Sequence, residues 1–198
     1  MPTIAQIRRD FDATLAGARA LFNFSLTVQG IHSDAGVEAA FLQMFKGWEG
    51  LLEEAFIAYM CRRIARDGQS VCCHVLAPND GVARAVLYQN RPYIEWTNPD
   101  EVRERARCYF TLPNRIDAAL SPVMGELRQT ATIRNAIAHS SPISREKLEE
   151  LAQKKFGGKP TISRPAHFLL KNDPVASKQT LFDTYAAAIE TAAIKITG

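Results

Sequence analysis

With 198 residues, 46% of them apolar and 23% charged, the chain has the make-up of an ordinary soluble globular protein. It is long enough to bury a substantial core as a single domain, here taken as 1–198. A formal net charge of +3 permits nucleic-acid binding without demonstrating it, and no run of the roughly eighteen apolar residues needed for a membrane span occurs.

The first ten residues, Met1 to Asp10, lack the basic-then-apolar order of a signal peptide, so a cytoplasmic protein is expected. Four cysteines, Cys61, Cys72, Cys73 and Cys108, show no Cys-x2-Cys spacing and are expected to be free thiols in a reducing compartment. Cys72-Cys73-His74 invites a zinc reading. Neighbours on an extended segment point to opposite faces, however, and no second ligand pair follows, so neither a metal nor a cofactor is expected.

Thr3 caps a first helix whose apolar face is Ile4, Ile7, Phe11, Leu15, Ala18 and Phe22, and Gly30 stops it. Ser33 or Asp34 caps a second helix that runs to about Arg66, with the stripe Phe41, Phe45, Trp48, Leu52, Ala55, Phe56 and Tyr59. Glu49 falls inside that stripe and Glu53 lies one turn later, nearer its flank. A carboxylate on an apolar face needs a cation or hydrogen-bond donors.

Between about 69 and 98 the helical period vanishes. Ser70 to Leu76 and Val82 to Tyr88 are short apolar runs around Pro78-Asn79-Asp80-Gly81, which predicts a β-hairpin insertion; Tyr93 to Trp96 adds a third extended piece. Asn98 or Asp100 starts a helix reaching Phe110, whose Arg103, Arg105 and Arg107 spread around it. They form either a solvated surface or a phosphate-tracking patch.

Asn114 to Leu120 is helical in pattern, and Ser121-Pro122 either restarts the chain as cap and first residue or kinks one continuous helix. The next helix carries the most informative stretch, Leu127 to Pro142. Leu127, Ala131, Arg134 and Ala138 share a stripe by their spacing, which places an arginine where an apolar residue is expected. Arg134 therefore calls for an anion, and Glu49 or Glu53 is the expected partner. Asn135 and His139 lie four apart, so the amide can reach the imidazole from one turn below. Ser140-Ser141-Pro142 ends the helix, which leaves His139 in the last turn, where the helix dipole favours a protonated ring and proton transfer near neutral pH is available. A helix from about Ser144 to Phe156, an irregular loop from Gly157 to Asp173 and a last helix from about Ala176 to Ile196 complete the chain. The stripe of that last helix is Leu181, Tyr185, Ala188, Ala192 and Ile196.

Arg134-Asn135-Ala136-Ile137-Ala138-His139 resembles the Arg-x4-6-His signature of the HEPN superfamily (higher eukaryotes and prokaryotes nucleotide-binding), in its RiboL-PSP-HEPN flavour. The resemblance covers about Val37 to Ser141, with a core of about 37–141 and the terminal helices as additions. It implies an all-α helical bundle and a metal-independent endoribonuclease of single-stranded RNA, active as a homodimer with both motifs at one groove.

Arg134, His139, Asn135 and Glu49 are then the catalytic candidates, while Arg134, Asn135 and Ser140 contact substrate. Trp48-Glu49 resembles the acidic position that many members carry on the preceding helix. A toxin–antitoxin or phage-defence setting, with an antitoxin or regulatory protein as partner, also follows from the family. The family's toxins commonly carry a tyrosine AMP acceptor two residues after the histidine. Here that position is Ser141, so the resemblance does not extend to this mode of control. The alternative is a non-catalytic HEPN-like module that binds RNA or nucleotide in the same cleft.

Overall fold

The structure, a computed structural model, describes residues 2–89, 94–139, 141–158 and 162–198. Among these residues it is helical: α1 (Ile4–Ser25), α2 (Ile31–Met60), α3 (Asp80–Tyr88), α4 (Pro99–Tyr109), α5 (Arg115–Leu120), α6 (Met124–Ala138), α7 (Pro142–Phe156), α8 (Pro165–Leu169) and α9 (Leu181–Thr197). Extended pairing among the described residues amounts to two isolated antiparallel bridges, Cys73 with Phe110 and Asn172 with Thr180. No described helix is long and apolar enough to cross a membrane.

The chain divides into two compact units. The first comprises Met1–Asp12, Gly47–Gly125 and Ile189–Gly198; the second comprises Ala13–Lys46 and Glu126–Ala188.

The first unit is built on the second half of α2. Trp48, Leu51, Leu52, Ala55, Phe56 and Tyr59 are all buried there, as their spacing dictates. Phe56 meets Trp96 at 5.1 Å and Phe110 at 5.2 Å between ring centroids, and Tyr59 meets Phe110 edge-on at 6.3 Å. The Tyr59 hydroxyl donates to the Ile196 carbonyl, and burial pushes its pKa well above the usual phenol range.

The expected hairpin does not form. Val82 to Tyr88 lies within α3, because Asn79 acts as an N-cap: its Oδ1 accepts from the Val82 N–H at 3.0 Å. Ala83 and Leu87, four apart, are buried, while Arg84 and Tyr88 turn toward α2. Ser70 to Leu76 is extended only around Cys73, where the His74 N–H donates to the Tyr109 carbonyl and the Thr111 N–H to the Cys72 carbonyl, each at 2.9 Å. Of the third extended piece, Tyr93 lies outside the described residues, and Ile94 and Trp96 are buried.

α4 starts on the Asn98 cap with Pro99 in its first turn, as expected. Its arginines divide as the spacing requires. Arg103 and Arg107 both reach Asp117 of α5, and Arg105 lies over the Trp96 ring at 5.7 Å. Ser121-Pro122 continues the chain instead of restarting it: a single 3₁₀ turn, Ser121–Val123, joins α5 to α6.

In the second unit Phe22 of α1 stacks on Phe182 of α9 at 4.1 Å. α1 and α2 approach closely at Gly36, where a Cβ would lie 2.1 Å from Ser25 Oγ, so only glycine fits without displacing Ser25. Ser141 caps α7 by accepting from the Ser144 N–H at 3.2 Å, and Gly157 ends it in the left-handed region at φ 69°. The long loop after α7 contains α8, whose Ala166, Phe168 and Leu169 are fully buried. α9 begins later than the pattern suggests, at Leu181. Its predicted stripe is buried except for Ala188, which is half-buried.

Candidate functional site

The candidate site grows from the second half of α6. The buried face of this helix is Leu127, Thr130, Ile133 and Ala136, in steps of three. Thr130 is tolerated there because its hydroxyl donates to the Leu127 carbonyl at 2.8 Å. The expected stripe shared only Leu127 with this face. Ala131 and Arg134 are half-buried and Ala138 is exposed. Arg134 follows Ile133 directly, so it stands about 100° around the helix, on the flank of the buried face.

From that flank Arg134 Nη1 donates to the Asn135 Oδ1 at 3.1 Å. The amide oxygen expected at the imidazole is thus engaged by the guanidinium. His139 touches Asn135 through the backbone instead: its N–H donates to the Asn135 carbonyl at 2.9 Å and closes the last turn. The imidazole is exposed. It stands on the short step between the end of α6 at Ala138 and the Ser141 cap of α7. Ser140 lies outside the described residues. Ser141, at the position that is tyrosine in the HEPN toxins, serves as that cap, and its hydroxyl also lies 2.8 Å from Ser144 Oγ.

The two acidic candidates have partners of their own in the first unit. Glu49 is half-buried and accepts from Thr97 Oγ1 at 2.8 Å. Glu53 takes Arg84 and the Tyr88 hydroxyl, the latter at 2.9 Å, and Glu54 takes the other arm of Arg84. These contacts satisfy carboxylates that would otherwise carry an uncompensated charge on a part-buried helix face. The carboxylate neighbours hold the Arg84 guanidinium more firmly protonated than usual, against the opposing effect of burial. The structure therefore joins Arg134 to Asn135 and gives Glu49 to Thr97.

The four cysteines are free thiols. Cys73 Sγ lies 3.2 Å from the Tyr59 carbonyl, and burial pushes its pKa up to about 11.

Two features had no counterpart in the sequence. The first unit contains a cavity of about 700 Å³ lined by Asp67, Gln69, Cys72, Asn114, Arg115 and Lys195 among others. At its edge Arg115 Nη2 donates to Asp67 at 2.5 Å and to Gln69 at 3.2 Å; that bond holds the Asp67 carboxyl below its usual range. In the second unit Asp34, Ser163 and His167 converge. Ser163 and His167 are four apart, which is a readable spacing, but Asp34 comes from the far end of α2 and no local pattern announces it.

No protein-family model, no curated protein and no solved structure matches the chain.

Proposed function

We propose that this chain is an endoribonuclease of HEPN type that cleaves single-stranded RNA without a metal ion. The observation that carries this reading is the end of α6: an oriented guanidinium on a half-buried flank, with an exposed imidazole one turn further along. In such cleavage the neighbouring 2′-hydroxyl attacks the phosphorus. A base removes its proton, an acid protonates the leaving 5′-oxygen, and a cation steadies the charged phosphorane.

His139 supplies proton transfer, and its exposure lets a substrate phosphate approach the ring. Arg134 supplies a planar fork of donors. Asn135 takes one of its N–H groups and so fixes the plane of the others for phosphate oxygens. One histidine serves one of the two proton-transfer roles. A two-fold dimer that faces two motifs across one groove supplies the second. Regulation by an antitoxin or similar partner, in a toxin–antitoxin or phage-defence setting, belongs to the same reading.

The test is cleavage of a labelled single-stranded RNA in EDTA by wild type and His139→Ala, with circular dichroism matching the two folds. His139→Ala should lose about 10²–10⁴-fold in rate, the usual contribution of an acid–base group. Equal cleavage by both proteins would remove His139 from the chemistry. No cleavage by either, with RNA binding that Arg134→Ala abolishes, would establish a binding module instead.

A further inference from the structure

α8 and the residue before its cap carry a second chemical constellation, made of different residues from the α6 site. His167 Nε2 lies 3.3 Å from Asp34 Oδ2, and His167 Nδ1 lies 3.0 Å from Ser163 Oγ. The carboxylate draws the ring N–H to Nε2, which leaves the Nδ1 lone pair as the acceptor for the serine hydroxyl. A hydroxyl, a ring base and a carboxylate beside the far ring nitrogen are the components that make a serine nucleophilic.

The base is held on a fixed support. Ala166, Phe168 and Leu169 are fully buried, Phe168 packs edge-on against Phe156 at 6.0 Å, and the Ala166 N–H donates to Glu38 at 3.4 Å. Asp34 is mostly covered, with 18% of its side chain exposed, whereas Ser163 is open to solvent. Arg164 Nη1 also reaches Asp34 Oδ2, at 3.4 Å, and competes with His167 for the carboxylate.

We propose that Ser163 is a nucleophile that takes acyl groups from unhindered carboxylic esters, with His167 as its base and Asp34 positioning the imidazole. Ser163 Oγ attacks the ester carbonyl while its proton passes to His167 Nδ1. The bond from carbonyl carbon to the leaving oxygen breaks, and that oxygen takes the proton from the ring. Water, deprotonated by the same ring, then attacks the acyl-serine; the bond from carbonyl carbon to Oγ breaks, Oγ takes the proton back from the ring, and the carboxylic acid is released. Because Ser163 is exposed, the donors it serves are small esters with good leaving groups.

The full chain is incubated with p-nitrophenyl acetate, p-nitrophenolate release is followed, and the acetyl group is mapped by peptide mass spectrometry. The expected result is a burst of about one equivalent per chain with the acetyl on Ser163, absent in Ser163→Ala, a change at an exposed position that leaves the fold intact. His167→Ala should slow acylation about 10²–10⁴-fold. Asp34→Asn should slow it too, with Asp34→Glu recovering part of the rate. Arg164→Ala, which releases the carboxylate to His167, should match or exceed wild type. If the cluster only ties the α8 segment to α2, Arg164→Ala and Asp34→Asn will behave alike. That result, acetyl groups on lysines with Ser163 unlabelled, or a Ser163 rate unchanged by His167→Ala would each overturn the proposal.

Discussion

Replacing Arg134 with alanine separates two accounts of why an arginine stands on α6. Were the guanidinium buried against a carboxylate, its removal would strand a charge and cost about 3–5 kcal/mol. The structure gives a smaller figure. The side chain lies on a half-buried flank and donates to Asn135 Oδ1 at 3.1 Å. A shielded hydrogen bond to a charged group contributes about 1.5–3 kcal/mol. At a partly exposed position both groups rehydrate when the bond is lost, which brings the cost to about 1 kcal/mol. For a chain of 198 residues that corresponds to a fall in Tm of about 2–4 °C.

RNA cleavage should respond far more strongly. Loss of a preorganised donor to the phosphorane slows such a step by about 10²-fold or more. Arg134→Lys should stay impaired, since an ammonium cannot reproduce the fork. Thermal unfolding by circular dichroism and cleavage of one labelled RNA in EDTA measure both quantities on the same preparations. A Tm fall beyond about 10 °C would show that the arginine neutralises a buried anion and would refute the stability estimate. Undiminished cleavage would show that it does not touch the scissile phosphate.

Leu87→Ala should cost about 2–5 kcal/mol in urea unfolding, because the side chain is 2% exposed, while Asn79→Ala should cost about 1 kcal/mol as the loss of a helix cap; two negligible changes would refute α3. At pH 8, Cys73 should alkylate about 10²-fold more slowly than an ordinary thiol, since burial holds its pKa at about 11, and mass mapping should find exposed Cys72 and Cys108 modified first. Burial works to raise the Asp173 pKa, but the Val175 N–H at 2.9 Å and Lys155 at 3.3 Å outweigh it and hold the carboxyl below its usual range. The folded pKa thus lies below the unfolded one, so this contribution is present above the ordinary carboxylate range and is lost as pH falls through the folded value. Asp173→Asn should lower Tm at pH 7 and flatten its decline below about pH 4; an unchanged acid limb would discount the residue.

What the sequence made legible follows from how local the governing forces are. α1 can be read because its apolar face repeats at helical spacing without interruption, and Ile4, Ile7, Phe11, Leu15, Ala18 and Phe22 are all buried; α9 shows the same repeat from Leu181 onward, with Ala188 half-buried. α3 is hidden in the sequence because Asn79-Asp80-Gly81 serves two purposes. The same residues that turn a hairpin also cap a helix, and β-branched Val82 and Val86 favour the first choice. The decision lies in α2, where Glu53 and Glu54 receive Arg84, and Glu53 also receives Tyr88, from one face of a helix. A strand would hold Arg84 and Tyr88 about 13 Å apart along its length, whereas one turn of helix brings them within about 6 Å of each other and lets both reach Glu53.

The α6 site shows how a small angular error changes the chemistry inferred. Counting in steps of three and four places Arg134 on the stripe begun by Leu127, yet the same start leads equally to Thr130, Ile133 and Ala136, which are the buried set. The two routes diverge by about 100° after two turns. Thr130 disguised the true face, because a threonine reads as polar until its hydroxyl is seen bonded to Leu127. Arg134 on the flank keeps contact with solvent and needs no buried carboxylate to neutralise it. The proposed chemistry does not depend on that pairing, since an oriented fork and an exposed ring would serve a phosphate better from a flank than from a core. Asp34, Ser163 and His167 mark the opposite limit. Two of them share a helical step, but the third is set beside them by the packing of α8 against its neighbours, and such a meeting is written in no window of sequence short enough to read.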